Sequence, residues 1–383
     1  MKLSEFALTR LACAYFFICP GLTYGIFTSR LPALKMQTGA NEAQIGLMLL
    51  CFGVASLVTL SASSWFLKRF ENRNLLLCCS IIVLFATVFM GFAFNPYMLW
   101  LCAVMGGLAT GFVDVAINTQ GVQIEKKYTA SCMAFMHASY SLGGVIGALS
   151  GSLFAAFGFN FLTNAVVMLG IYVLFLFKAH HYLLTDPVQG KEKEESGKSF
   201  IPFFVIFCGL LIMLEYACEG AVAEWGSLFM HDIKHSPEYI AALVYAGFSV
   251  TTMCCRFFGD RMREHFGDIK LCMAGVMIAV FGLVLVLFTQ GMFFALFGFA
   301  LMGMGLSPVA PVLFSQAGNY PNVNIAKACA AVSVLAYCGL LFFPPLLGFV
   351  AYGYGLDKTM FVVLALSILL CFGIIALGRK KAA

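Results

Sequence analysis

The sequence predicts an all-α polytopic membrane protein, with twelve transmembrane helices in two pseudo-symmetric six-helix bundles. Three observations predict it. Apolar residues make up 61% of the 383-residue chain and charged residues only 11%, where a soluble domain holds about 45–50% and about 25%. Apolar runs of about 20 residues recur along the whole length, each long enough to cross roughly 30 Å of hydrocarbon as a helix. Basic residues alternate between successive connections in the pattern that orients membrane proteins.

The spans follow in order. The first, 7–29, begins after an early lysine, as a signal peptide would. Its apolar part is long and lacks a small-x-small cleavage site, so it reads as a transmembrane helix. Pro20 and Gly21 break it. Spans 44–67, 75–94, 97–121, 130–156 and 160–180 complete the first half, with tight outer turns at FNP (94–96) and FGFN (157–160). The stretch KAHHYLLTDPVQGKEKEESGKSF (178–200) is polar and mixed in charge. It reads as a flexible cytoplasmic linker. The predicted division is a bundle over 1–181, a linker over 182–200 and a second bundle over 201–383. The second half holds spans 201–226, 238–259, 270–288, 291–315, 325–350 and 358–377. Pro308 and Pro311 are placed to bend the tenth span, and Pro344–Pro345 to shape the eleventh.

With the N-terminus inside, all but four of the 23 Lys and Arg residues fall in inner segments, Arg256, Arg261 and Arg263 among them. The outer four are Arg30, Lys35, Lys234 and Lys358. An error of one span would scramble that asymmetry, so both termini are expected in the cytoplasm. The net charge of +5 is scattered in short clusters, which excludes a nucleic-acid-binding domain. Most of the 15 Cys sit inside apolar runs, without paired CxxC motifs. They read as small buried hydrophobes, not metal ligands. No Walker or GxGxxG pattern supports ATP drive or a nucleotide cofactor, and no HExxH or nucleophile motif supports an enzyme.

The halves echo each other. WFLKRFENRN (65–74) follows the second span of one half, and RFFGDRMREHFGD (256–268) the second span of the other. SLGGVIGALSGSLFAAFGFN precedes span six, and AYCGLLFFPPLLGFVAYGYG precedes span twelve, with Gly158–Phe159 and Gly353–Tyr354 at matching places. Internal repeats of this kind mark secondary transporters.

On these features the chain resembles the major facilitator superfamily over nearly its whole length. The family's inner-loop motif is recognisable in the second half at Gly259, Asp260, Arg261 and Gly267. In the first half, Lys68 stands at the Asp position and Glu71 at the second Gly position, while Arg69 and Arg73 remain. The resemblance thus implies the inner latch, with Asp260 and Arg261 as gating residues, on the second side only. TSRLPAL (28–34), LKRFENRN (67–74), DVAINTQGVQIE (114–125), MHASYSLGG (136–144), EGAVAEW (219–225), YAGFS (245–249) and FPPLLGFVA (343–351) are similar to the bacterial YbjJ-like branch. The resemblance implies a bacterial inner-membrane protein working by alternating access, for which a monomer suffices. It names no solute.

Gly107, Gly111, Asp114 and Asn118 share one helical face. The glycines allow a close helix approach, and the polar pair then faces protein. Counting 1.5 Å per residue places Asp114 roughly 18 Å from Lys126, near the midplane. His137 sits at about the same height on the next span. Three readings are open for this pair: a structural hydrogen bond, a proton-linked couple, or solute contact. Tyr140 follows as a polar donor. Gly143, Gly147 and Gly151 form a packing stripe.

On span seven, Glu215 and Glu219 lie four apart and share a face, with Glu224 further round. Two carboxylates at that spacing repel when both are charged, so one is expected to hold a proton. Arg30 is an expected partner of Glu219 at the outer mouth, where the two would act as a gate. Trp225 reads as a mouth cap or an interface anchor. Tyr24, Asn118, Tyr140, Glu215, Gln316 and Tyr337 are the candidate solute contacts, and Asp114, His137, Glu215 and Glu219 the candidate proton sites. The functional expectation is a secondary transporter moving a small polar solute by proton-coupled symport, in contact with lipid and protons. The alternative is a proton-driven exporter of drugs or metabolites. A membrane sensor or scaffold is a further class, for which no soluble domain is attached.

Overall fold

The structure is a computed structural model that describes residues 4–67, 69–129, 132–185, 201–318, 320–321 and 325–382. Every regular element in it is helical, and twelve helices are long and apolar enough to cross a membrane. By contacts the chain divides into two compact units, Met1–Glu192 and Lys193–Ala383. Most of the expected linker, 186–200, and Lys68 lie outside the described residues.

The first unit runs α1 (Glu5–Ser29), α2 (Leu31–Thr38), α3 (Glu42–Leu67), α4 (Asn72–Met90), α5 (Pro96–Tyr128), α6 (Met133–Ala156) and α7 (Phe161–His181). Side chains fix several ends. Ser4 accepts the Ala7 N–H at 3.2 Å to start α1. Asn41 and Gln44 cap α3 reciprocally, each side-chain oxygen accepting the other's backbone N–H at 2.9 and 3.0 Å. The FNP and FGFN turns stay tight because Asn95 and Asn160 cap the helices that follow them, at 3.0 and 2.9 Å.

The second unit runs α8 (Phe203–Leu228), which passes into a π-turn at Phe229–Ile233, then α9 (Glu238–Ala241), α10 (Leu243–Phe266), α11 (Asp268–Phe288), α12 (Met292–Leu306), α13 (Val309–Gly318), α14 (Ile325–Tyr354) and α15 (Leu356–Ala382). Its pairing repeats that of the first unit. The first span packs on the fifth, as α1 on α6 and α8 on α14. The second span packs on the fourth, as α3 on α5 and α10 on α12. The third packs on the fourth, as α4 on α5 and α11 on α12.

Small residues permit these contacts. A Cβ at Gly25 of α1 would stand 2.3 Å from the Gly144 carbonyl oxygen of α6, and one at Gly143 2.4 Å from that of Ile18. On α5, a Cβ at Gly107 would stand 2.3 Å from the Phe52 oxygen of α3. In the second unit, a Cβ at Gly339 of α14 would meet the Met213 oxygen at 2.4 Å. Apolar side chains gain little by meeting each other when lipid is equally apolar, so close backbone approach supplies much of the attraction.

The structure refines the expected elements at four places. Pro20 does not break the first span, since α1 is continuous through it. The Thr23 hydroxyl lies 3.1 Å from both the Cys19 and Pro20 carbonyl oxygens. Packing on α6 carries the helix past the N–H that Pro20 lacks. The fourth span, Pro96–Gly121, agrees with the expected 97–121, and its helix α5 continues to Tyr128. Its last residues are polar helix formers that hydropathy does not register, and there Lys127 and Tyr128 bind Glu5 at 3.2 and 2.9 Å. The tenth span, Met292–Gly318, is interrupted where Pro308 was expected to bend it, as two helices parted at Ser307–Pro308. The chain after α7 is not free at once. Leu183 and Leu184 are buried, and the Gln120 amide exchanges bonds of 2.9 and 3.1 Å with the Leu184 backbone.

Candidate functional site

In the first unit, α5 positions Asp114 and Asn118 one turn apart. The Asn118 amide donates to the Asp114 carbonyl at 2.8 Å and to its carboxylate at 3.3 Å. Packing of Gly107 and Gly111 on α3 brings this face inward, and Asp114 stays half-buried one turn on. His137 of α6 acts electrostatically on Asp114 and stacks edge-on to Phe17 with centroids 5.4 Å apart. His137 and Tyr140 are exposed, and Tyr24 is half-buried. The structure thus associates Asp114, Asn118 and His137 in one polar group.

In the second unit, α8 carries Glu215 with 0% of its surface exposed, and its carboxylate meets that of Glu219. Glu219 sits one turn on, and its carboxylate lies 3.6 Å from the Arg256 guanidinium of α10. Arg256 also acts electrostatically on Glu215, Tyr216 and Tyr245. Tyr337 of α14 acts on Tyr216. Two acids, one arginine and three phenols therefore share one region of this unit.

Arg256 is the residue that sequence reasoning missed. It was counted as a cytoplasmic cation, yet it lies inside the membrane-crossing segment Glu238–Gly259. An ionisable residue within an apolar span is a signal of function, and it was available in the sequence.

Arg30 and Glu219, the expected outer gate, each have partners within their own unit. Arg30, at 1% exposure, donates to the Gly151 and Phe159 carbonyls at 3.4 and 2.7 Å. Those carbonyls flank the C-terminal end of α6, where a cation is favoured. Glu219 faces Arg256 instead. Trp225 is wholly buried, so it does not anchor at a lipid interface.

Gln316 of α13 donates to the Asp268 carboxylate at the start of α11. Arg263 of α10 donates to the same carboxylate at 3.0 Å and to the Ser315 hydroxyl at 3.2 Å. This network ties the α10–α11 turn to α13 and engages the Gln316 amide there. Gly267, within that turn, has φ +76°. Arg261 is exposed, and the side chain of Asp260 lies outside the described residues. No cluster of three or more His, Cys, Asp or Glu suited to a metal occurs among the described residues.

The model of the Major Facilitator Superfamily matches residues 11–324. The chain belongs to this superfamily. It is therefore a secondary transporter of the alternating-access type, and its function is transport, not catalysis. Among curated relatives, an uncharacterised MFS-type transporter of Yersinia pestis is 28% identical over 91% of this chain and 89% of its own length. The membrane protein MosC of Rhizobium meliloti is 27% identical over 98% and 91%. Multidrug resistance protein 2 of Bacillus subtilis is 18% identical over 78% of each chain. A crystal structure of the nucleoside transporter NupG superposes with a TM-score of 0.78 at 12% identity, over 96% of this chain and 99% of that one. At that identity the likeness is one of fold.

Proposed function

We propose that this transporter moves a small polar solute by proton-coupled symport. In this reading it sits in a bacterial inner membrane with both termini in the cytoplasm. Its working parts are the bundles 1–181 and 201–383, joined by a cytoplasmic linker at 182–200. The likeness to the YbjJ-like branch rests on the segments quoted above and belongs to the same proposal.

One observation carries the coupling. Glu215 is fully enclosed, and the side chain its carboxylate meets is a second acid, Glu219. An ionised carboxylate so placed costs several kcal/mol, which a proton relieves. Glu215 and Glu219 thus share the protons of the second bundle. Asp114 and His137 are its counterpart in the first bundle, held in place by Asn118. Tyr24, Asn118, Tyr140 and Tyr337 offer hydroxyl and amide groups to a polar solute. Gln316, whose amide meets Asp268 here, and Glu215 complete that set. Arg30, Glu219, Asp260 and Arg261 are the gating residues, which exchange partners as the carrier turns over.

The test has two steps. Thermal-shift screening of purified protein against sugars, nucleosides, amino acids and carboxylates finds a solute, because binding stabilises the folded state by mass action. Nucleosides belong in that panel because the superposed NupG is a nucleoside transporter. Uptake of the hit into vesicles is then measured with and without an imposed pH gradient. Uptake should follow the gradient and lose that dependence in Glu215→Gln and Asp114→Asn. Flux indifferent to the gradient would leave only uniport.

A second reading, proton-driven export, draws on the likeness to Multidrug resistance protein 2 and on acids suited to cationic drugs. It expects protons to move opposite to the solute, which the same vesicles report.

A further inference from the structure

We propose that Arg256 anchors the anionic group of the solute, a small carboxylate, by giving up its pairing with Glu219. This deepens the reading above and rests on it for the direction of proton movement.

The argument begins with donors. A guanidinium presents five N–H donors in a rigid fork that matches a carboxylate. Among the described residues Arg256 makes no hydrogen bond, and its ion pair with Glu219 is long, at 3.6 Å. Its side chain is 42% exposed, although it lies within a membrane-crossing segment. A buried arginine that serves structure spends its donors on carbonyls, as Arg30 does with Gly151 and Phe159. Arg256 holds its own in reserve, on an open side.

The surroundings supply the rest. The charged and titratable groups that act on Arg256 are Glu215, Glu219 and Tyr216 from α8 and Tyr245 from its own helix, α10. Tyr337 of α14 and Glu224 of α8 act at one remove, on Tyr216 and Tyr245. The phenols can donate to a bound carboxylate. With both Glu215 and Glu219 ionised, the local charge is negative and an anion is repelled. With Glu215 protonated, Arg256 and Glu219 neutralise each other, and no charge is left for a solute. Once Glu219 also takes a proton, Arg256 is an unbalanced cation facing open space. The exchange balances: one proton enters on the Glu219 carboxylate and one monoanion enters on Arg256. A cationic solute is disfavoured in the states with Glu215 protonated, where the charge beside Arg256 is zero or positive.

The test uses the full-length protein in detergent and three pairs of probes: lactate with lactamide, benzoate with benzamide, gluconate with the neutral polyol sorbitol. Thermal shifts are read at several pH values. The acids should stabilise the protein while their neutral partners do not. Apparent affinity should fall by up to about tenfold per pH unit as the pH rises, because one proton enters with each anion. Arg256→Gln should weaken acid binding by about ten- to a hundredfold. Arg256→Lys, which keeps the charge and guards against simple misfolding, should also weaken it through loss of the planar fork. Glu219→Gln should bind the acids with its pH dependence flattened.

Equal shifts from acids and their neutral partners, no shift from any acid, or full acid affinity in a folded Arg256→Gln protein would each overturn the assignment. Arg256-dependent acid binding without proton uptake from weakly buffered solution would support the anion site and defeat the coupling. Binding of sorbitol with proton uptake would do the reverse.

Discussion

Gly267 closes α10 and opens α11 with φ +76° and ψ +154°, a conformation that only glycine adopts without strain. No atom stands within 4 Å of where its Cβ would be, so Gly267→Ala tests backbone strain alone. The expected loss is about 1–3 kcal/mol, read as a lower midpoint in thermal unfolding. Gly170 is the matched contrast. It also has open space around it, but it sits inside α7. Gly170→Ala should stabilise by roughly 0.5–1 kcal/mol in the same measurement, because alanine has less freedom to lose. A Gly267→Ala protein as stable as wild type would show that the turn relaxes freely. At this scale the sequence was legible where spacing along one helix decides the outcome. Asp114 and Asn118, four apart, do bond to each other. It was illegible where the partner comes from another helix. Nothing in the spacing of Glu219 says that Arg256 will face it, because that depends on how α8 and α10 rotate against each other. The same holds for Gln316, whose partner Asp268 lies across a turn and a helix pair.

Helices meet here through backbone contact, so the element scale is where small changes should hurt most. Gly25 and Gly143 each face a backbone oxygen closer than a Cβ tolerates. Neither oxygen can rotate away as a side chain would. Gly25→Ala and Gly143→Ala should therefore push α1 from α6, at a cost of about 1–3 kcal/mol each, with lower yield of folded protein and slower transport. Gly220→Ala, which meets only the tip of Leu340 at 3.7 Å, should be tolerated. If all three variants behaved alike, the close pairing of α1 and α6 would be in doubt. The Arg263 network gives a second case. Arg263→Ala removes the donors that join Asp268 to Ser315, which should loosen the α10–α11 turn against α13. Faster amide exchange over 257–268, with little change in α8, is the expected result. Hydropathy located the membrane part of each element and little beyond it. It could not see α5 continuing to Tyr128, because the final residues are polar. The parting of α12 from α13 was legible, since Pro308 removes a donor and clashes with the preceding turn. Pro20, Pro344 and Pro345 carry the same chemical signal yet lie within continuous helices. Proline alone therefore does not decide a break; the neighbouring packing does.

The whole molecule was the most legible of the three scales, because lipid imposes the same demand on every span. Each crossing must be helical, apolar and about the right length, and twelve segments satisfy this. The repeat of quoted segments between halves corresponds to a repeat of helix pairing, first on fifth and second on fourth in each unit. An even number of crossings puts both termini on one side, and the charge asymmetry chooses which. The four Lys and Arg residues assigned outside are Arg30, Lys35, Lys234 and Lys358. Arg256, within its span, weakens the inner tally by one and leaves the asymmetry intact. A green fluorescent protein fused after Ala383 should therefore fluoresce, since it folds only in the cytoplasm. Alkaline phosphatase at the same place should be inactive. Phosphatase inserted at the turn between Gly158 and Asn160, on the far side of the fifth span, should be active. Reversal of all three reporters would mean the chain inserts the other way round, with the basic clusters outside. Reversal of the C-terminal pair alone would mean an odd number of crossings, and the correspondence between the two halves would fail with it.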